Sequence, residues 1–195
     1  RYLEQTGAAM GIGMRVHTSD GSQPVGRGIG PALEARDVLQ VLRNDGHAPQ
    51  DLLEKSLQLA GIMLEMGAKA GAGKGYELAQ RTLLDGSALK KFIALCEVQG
   101  GFYEPESAPY THCVSATRKG VISYFNNRFL AKLASLAGAP NAKTAGIELH
   151  VALGDVIDAG APLFTLHAEA PGELAYALEF LDGHTDVIHI EEEVV

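Results

Sequence analysis

Apolar positions recur at helical spacing through the first half of the chain and alternate through much of the second. Residues 31–43 put Ala35, Val38, Leu39 and Leu42 at helical spacing, with Pro31 at the first helical position and Asn44-Asp45-Gly46 as a stop. A second helix is predicted from near Pro49, with Asp51 in its first turn, where an acid suits the dipole. Leu53, Leu57, Ala60 and Leu64 form one stripe on it, and Leu52, Leu59, Met63 and Met66 another. Two stripes imply burial on more than one side and a central position. After a glycine-rich loop over residues 67–75, two short helices are expected over about 76–84 and 87–98. Ser87 is able to cap the second, and Leu89, Phe92, Ile93 and Cys96 form its buried face. Upstream, residues 14–18 are a short strand candidate. Tyr2, Leu3, Ala8, Ala9 and Met10 read as the end of a helix already running, and the chain, lacking an initiator Met, is expected to be a piece of something longer.

Residues 99–109 (QGGFYEPESAP) carry two glycines and two prolines with no helical period, and are read as a linker at a domain boundary. Beyond them the pattern turns β-rich. Strands are expected at THCVSAT, GVISYF, residues 147–152, residues 162–167 and residues 187–190. Helices are expected over 127–137, ended by Gly138, and over 171–180; Gly154-Asp155 makes a turn, and residues 191–193 form a solvated tail. The expected fold class is α+β. The end of an α/β domain occupies residues 1–99, a linker 100–109, and a β-rich α+β domain 110–195. No internal repeat is evident.

Composition fits one ordinary domain or two small ones: 195 residues, 46% hydrophobic and 21% charged. The formal charge of −8 is unevenly placed. From Thr144 onward there are 11 acidic and no Lys or Arg side chains, leaving 13 acidic and 16 basic before it. An acidic C-terminal third repels phosphate backbones and anionic membrane surfaces, so neither nucleic acid nor membrane is expected as a partner. No apolar run approaches the ~20 residues of a spanning helix. Two cysteines are too few for a disulfide framework, and reduced thiols in a cytoplasmic protein are expected.

Candidate chemistry centres on GSQPVGRGIGP at residues 21–31. Glycines let backbone N–H groups approach an anion, the following helix N-terminus adds partial positive charge, and Arg27 offers a fork for phosphate or carboxylate. The loop is neither a Walker A motif nor GxGxxG, and a tight strand-to-helix connection is the favoured reading. GAGKG at residues 71–75 reads as a flexible helix-to-helix loop. His112 and Cys113 are adjacent in a strand and so point to opposite faces; the other histidines lack ligand spacing, and no metal site is expected. The piece G-D-x-I-x-x-G-x-P-L-F at residues 154–164 resembles the half-repeat of biotinyl and lipoyl carrier domains. No lysine follows Lys143 to be modified, so that resemblance is one of fold.

Together these segments resemble the C-terminal part of the thymidine/pyrimidine-nucleoside phosphorylase family. The resemblance rests on SQPVGRGIGPALEARDVL at residues 22–39, LAGIMLEMG at 59–67 and the β-rich stretch 112–167. The Gly-Pro-Ala-Leu-Glu form is closest to the branch that includes archaeal AMP phosphorylases and bacterial thymidine-phosphorylase-like proteins. The resemblance implies a longer, usually dimeric pentosyltransferase with a barrel-sandwich core in its last domain. It needs no cofactor beyond inorganic phosphate as co-substrate. It implies phosphorolysis of thymidine or a related nucleoside, with AMP-type nucleotides as the alternative substrate. A non-catalytic dimerisation or scaffold module is the other alternative. The family's phosphate loop and base-contacting residues have no counterpart in this chain, so no catalytic residue is assigned. Arg27, Gly28 and Gly30 are the candidates for lining the edge of the substrate cleft, and the chain alone is expected to be inactive.

Overall fold

The computed structural model describes residues 2–184 and 186–192. The first half is helical: α1 (Tyr2–Ala9), a two-residue strand β1 (Gly28–Ile29), α2 (Pro31–Leu42), α3 (Gln50–Met66), α4 (Gly75–Leu84) and α5 (Ser87–Val98). These match the predicted helices closely. The strand expected at residues 14–18 is not formed. Met14 and Val16 are 41% and 42% exposed, and no strand lies beside them among the described residues, so the alternation has no ladder to join.

Two expectations about burial also fail. On α3 the stripe through Leu57 faces the small core of this half, with Val41, Ala48, Ala79 and Leu83. The other stripe reaches that core only through Leu52; Leu59, Met63 and Met66 are exposed, Met63 to 72%. The predicted buried face of α5 is only half-buried, and no residue of that helix is fully buried. Between α2, α3, α4 and the start of α5 lies an open apolar groove of about 560 Å³, lined among others by Leu53, Leu57, Ala60 and Met63. Ser87 does not cap α5 with its side chain. It is the first helical residue after Gly86, and its N–H donates to Asp85 Oδ1 at 2.8 Å.

The second half builds two antiparallel sheets. Its elements are β2 (Tyr110–Ser115), β3 (Gly120–Phe125), α6 (Asn127–Leu136), β4 (Gly146–Leu149), β5 (Val156–Ile157), β6 (Pro162–Ala168), α7 (Pro171–Gly183) and β7 (Ile188–Glu191). One sheet has the order β1-β4-β6-β2, the other β5-β3-β7. A single core joins both sheets and the two helices: Ile122, Phe125, Leu130, Leu133, Ile147, Phe164 and Leu166 are all within 2% of complete burial. The Asn126 side chain caps α6 by accepting the Phe129 N–H. β4 ends at Leu149, three residues short of the expected strand, and α7 runs three residues further than expected. Of the tail expected at 191–193, residue 193 lies outside the described residues.

The halves are joined by more than the chain. β1 pairs with β4, Gly28 opposite Glu148 and Ile29 opposite Ile147. Residues 101–109, without helix or strand, run beside α2. There Arg36 donates to the Glu106 carbonyl at 2.7 Å and to Ser107 Oγ at 3.0 Å, and Arg43 pairs with Glu104.

Candidate functional site

The glycine-rich loop lies where α2, the start of α3 and the first sheet meet. Its amides are already occupied by carboxylates of the chain. Asp37 Oδ2 accepts the N–H of Arg27 at 2.7 Å and of Gly28 at 2.8 Å, and Asp51 Oδ2 accepts the Gly26 N–H at 2.9 Å. Glu34 Oε1, one turn into α2, accepts the Gly30 N–H at 3.0 Å. Nearby donors that would welcome a phosphate thus hold internal anions instead.

Arg27 is a wall residue of a cleft of about 380 Å³ between Gln23–Arg27, the α3 start and the turn after β4. Its guanidinium donates to Gln40 Oε1 at 2.9 Å and to the His47 carbonyl. The other polar walls are engaged in the same way. Gln23 Oε1 accepts the Leu153 N–H at 2.8 Å, Asp155 Oδ2 accepts the Ala152 N–H at 2.7 Å, and the His150 ring meets Thr165 Oγ1 at 2.7 Å. The cleft is a cemented seam between the helical layer and the sheet. Gly28 and Gly30 stand behind the wall rather than in it. A Cβ on Gly28 would meet the Leu33 carbonyl carbon at 2.4 Å, and one on Gly30 would meet the Ala145 oxygen at 2.3 Å. At residues 71–75 the loop simply leads from α3 to α4, with the Gly75 N–H held by Glu65 Oε1 at 3.1 Å.

A polar cluster lies on the face of the first sheet opposite its core. Cross-strand register sets Glu148 on β4, Thr165 on β6 and Cys113 on β2 in one row, with His112 on the other face. His167 is buried there, and its ring nitrogens have no hydrogen-bond partner; Glu148 Oε2 is 3.5 Å from Nε2, an electrostatic contact rather than a formed hydrogen bond. His167 beside it holds the Glu148 carboxyl below its ordinary range, with His150 and Arg36 adding positive charge, against a smaller opposing effect of burial. Among the described residues no group of three or more His, Cys, Asp or Glu is arranged to hold a metal ion, and no helix is long and apolar enough to cross a membrane.

Neither Asp37 nor His167 was singled out by the sequence. Asp37 did leave a signal: it sits four residues after Leu33 and four before Val41, a carboxylate in the middle of a buried stripe. His167 left none, because one histidine in an alternating strand carries no mark of which neighbours will cover it.

Residues 121–187 match the pyrimidine nucleoside phosphorylase C-terminal domain. Over nearly its whole length the chain is similar to longer bacterial proteins named "Putative thymidine phosphorylase". It is 55% identical over 192 residues to one from Hahella chejuensis, covering 98% of the chain and 38% of that protein. It is 53% identical over 193 residues to one from Polaromonas sp., covering 99% and 38%. With one from Legionella pneumophila it shares 48% over 190 residues, covering 97% and 37%. The match over residues 121–187 and the roughly half-identical sequence along nearly the whole chain make it similar to the C-terminal part of the thymidine/pyrimidine-nucleoside phosphorylase family. It spans under two-fifths of the length of these relatives.

Proposed function

We propose that the chain is the C-terminal part of a longer enzyme that cleaves the N-glycosidic bond of thymidine or a related nucleoside with inorganic phosphate. The bond from C1′ to the base nitrogen breaks and a bond from C1′ to a phosphate oxygen forms, giving free base and (deoxy)ribose 1-phosphate. The enzyme's task in such a step is to align the reactants and stabilise developing charge.

The observation that carries this reading is the unfinished helical layer. Met63, 72% exposed, lines an open apolar groove, and Leu84, Leu95 and Val98 elsewhere on α4 and α5 are 65%, 50% and 87% exposed, while the second half has a complete core. A layer with one covered face fits the end of a larger α/β domain. Residues 1–99 are that end, 100–109 the linker and 110–195 the last domain, whose two sheets around one core fit a barrel-sandwich arrangement. The cleft's self-satisfied polar groups fit catalysis by residues in the rest of the enzyme, with Arg27 in the cleft wall and Gly28 and Gly30 packed behind it. The enzyme acts as a cytoplasmic homodimer.

Phosphate-dependent release of free base by the longer parent tests this, with thymidine, uridine, AMP and CMP side by side and the 195-residue chain as the blank. Release from thymidine or uridine supports the reading. Release from AMP or CMP alone moves it to a nucleotide phosphorylase yielding ribose 1,5-bisphosphate. Turnover by the isolated chain, or by no protein at all, overturns it.

A further inference from the structure

We propose that Glu148 and His167 bind one divalent cation of the zinc type, on the face of the first sheet opposite its core. The site is independent of the phosphorolysis reading above.

The His167 side chain is only 9% exposed, and neither of its ring nitrogens has a hydrogen-bond partner. Leaving a buried polar group unsatisfied is costly, so such a ring marks a place that a further group completes. Glu148 Oε2 stands 3.5 Å from His167 Nε2. That is too long for a good N–H···O hydrogen bond. It is the spacing of two ligands that share an ion. A nitrogen and a carboxylate oxygen, at zinc bond lengths of ~2.0–2.2 Å and the tetrahedral angle, lie about 3.3–3.5 Å apart.

The chemistry of the pair agrees with its spacing. An imidazole nitrogen beside a carboxylate oxygen suits zinc and its first-row neighbours, whereas magnesium and calcium favour oxygen alone. The Glu148 carboxyl is held below its ordinary range, chiefly by His167, so it is present as the carboxylate a cation needs. Its side chain is 43% exposed, which opens a path from solvent to the buried nitrogen. The nearby positive groups are turned to other partners: Arg36 donates to the Glu106 carbonyl and Ser107 Oγ, and the His150 ring meets Thr165 Oγ1. Among the described residues no third His, Cys, Asp or Glu completes the set, so solvent supplies the remaining positions and binding is weaker than at a closed four-ligand site. Glu148 and His167 lie on different strands, so no ligand spacing marks them in the sequence. Glu148 is opposite Gly28, and an ion held there braces β4 and β6 where β1 joins from the helical half.

The test is a calorimetric zinc titration of the chelator-stripped 195-residue chain, with thermal melting in parallel. One zinc per chain and a higher melting midpoint are expected. Losing an outer-shell partner already costs ~10–100-fold in metal affinity, so Glu148→Gln and His167→Gln are each expected to weaken zinc by more than ~tenfold. Glu148→Gln carries the test if the change at the buried histidine prevents folding. His47→Gln and His189→Gln, both at exposed histidines, are expected to bind as the parent does. X-ray absorption of the zinc-loaded chain is expected to show one imidazole nitrogen, oxygen neighbours and no sulfur. Absence of saturable binding, unchanged affinity in Glu148→Gln, or a shell with sulfur or several imidazoles overturns the site. None of these results bears on phosphate-dependent base release by the longer parent, which stands or falls separately.

Discussion

The buried carboxylate of Asp37 accepts the main-chain N–H of Arg27 at 2.7 Å, from the same oxygen that accepts Gly28. A loop that looks made for an outside anion is thus fastened by one from α2. Asp37→Ala leaves both amides without this acceptor and is expected to lower stability by about 2–3 kcal/mol in denaturant unfolding. Asp37→Asn keeps a carbonyl acceptor and is expected to lose about half as much. A loss below ~0.5 kcal/mol in the alanine variant would show that the loop is held by other means.

Gly30 combines a φ of 137° with backbone contact against Ala145. Gly30→Ala is expected to cost about 3 kcal/mol or more, since strain and overlap add and the neighbour is main chain. Gly46→Ala, with open space around it, serves as the control and stays within ~0.5 kcal/mol. Equal melting midpoints for the two variants would contradict the seating of Gly30 on the β4 approach.

Glu148 is ionised in the folded chain at lower pH than in the unfolded chain, chiefly because of His167. Its contribution is fully present above its ordinary value of 4.5 and is lost as pH falls through the lower folded value. Glu148→Gln is therefore expected to flatten the acid limb of stability below about pH 4.5 while leaving the limb near neutrality in place. The group is half-exposed, so the difference is on the order of 0.5 kcal/mol, read as a shift in midpoint between pH 6 and pH 3.

Met63 separates the isolated chain from the proposed longer enzyme. At 72% exposure, Met63→Ser is expected to be neutral within ~0.5 kcal/mol in this chain and to improve its solubility. In a parent that covers the groove, the same change is expected to cost about 1–2 kcal/mol of lost apolar burial. The same melting shift in both proteins would remove the groove as a support for that reading.

The helices α2 to α5 and the larger strands were legible because each carries its own signal: Pro31 at a helix start, stops at Asn44-Asp45-Gly46, alternation in GVISYF. Burial was less legible. The stripe of Leu59, Met63 and Met66 has the spacing of a core face, and spacing does not say whether a neighbour is present to cover it. The two-residue strands β1 and β5 are too short to show a period, and pairing with β4 and β3 alone defines them. At the candidate site, the favoured reading of the glycines as a tight connection into the helix agrees with the close packing of Gly28 and Gly30, while the residues left open whether the loop amides also meet an anion. The acceptor proved to be Asp37, ten residues on, a relationship made by the fold of loop onto helix.

Residues 101–109 carry the only covalent path between the halves, yet they are not what keeps them together. β1 stays threaded into the sheet beside β4, and the seam around Gln23 and Leu153 closes over the crossing. A single proteolytic nick in this stretch would break the polypeptide without parting the pieces. They would travel as one particle until the fold itself was undone, so for this protein covalent continuity and structural unity are separate properties.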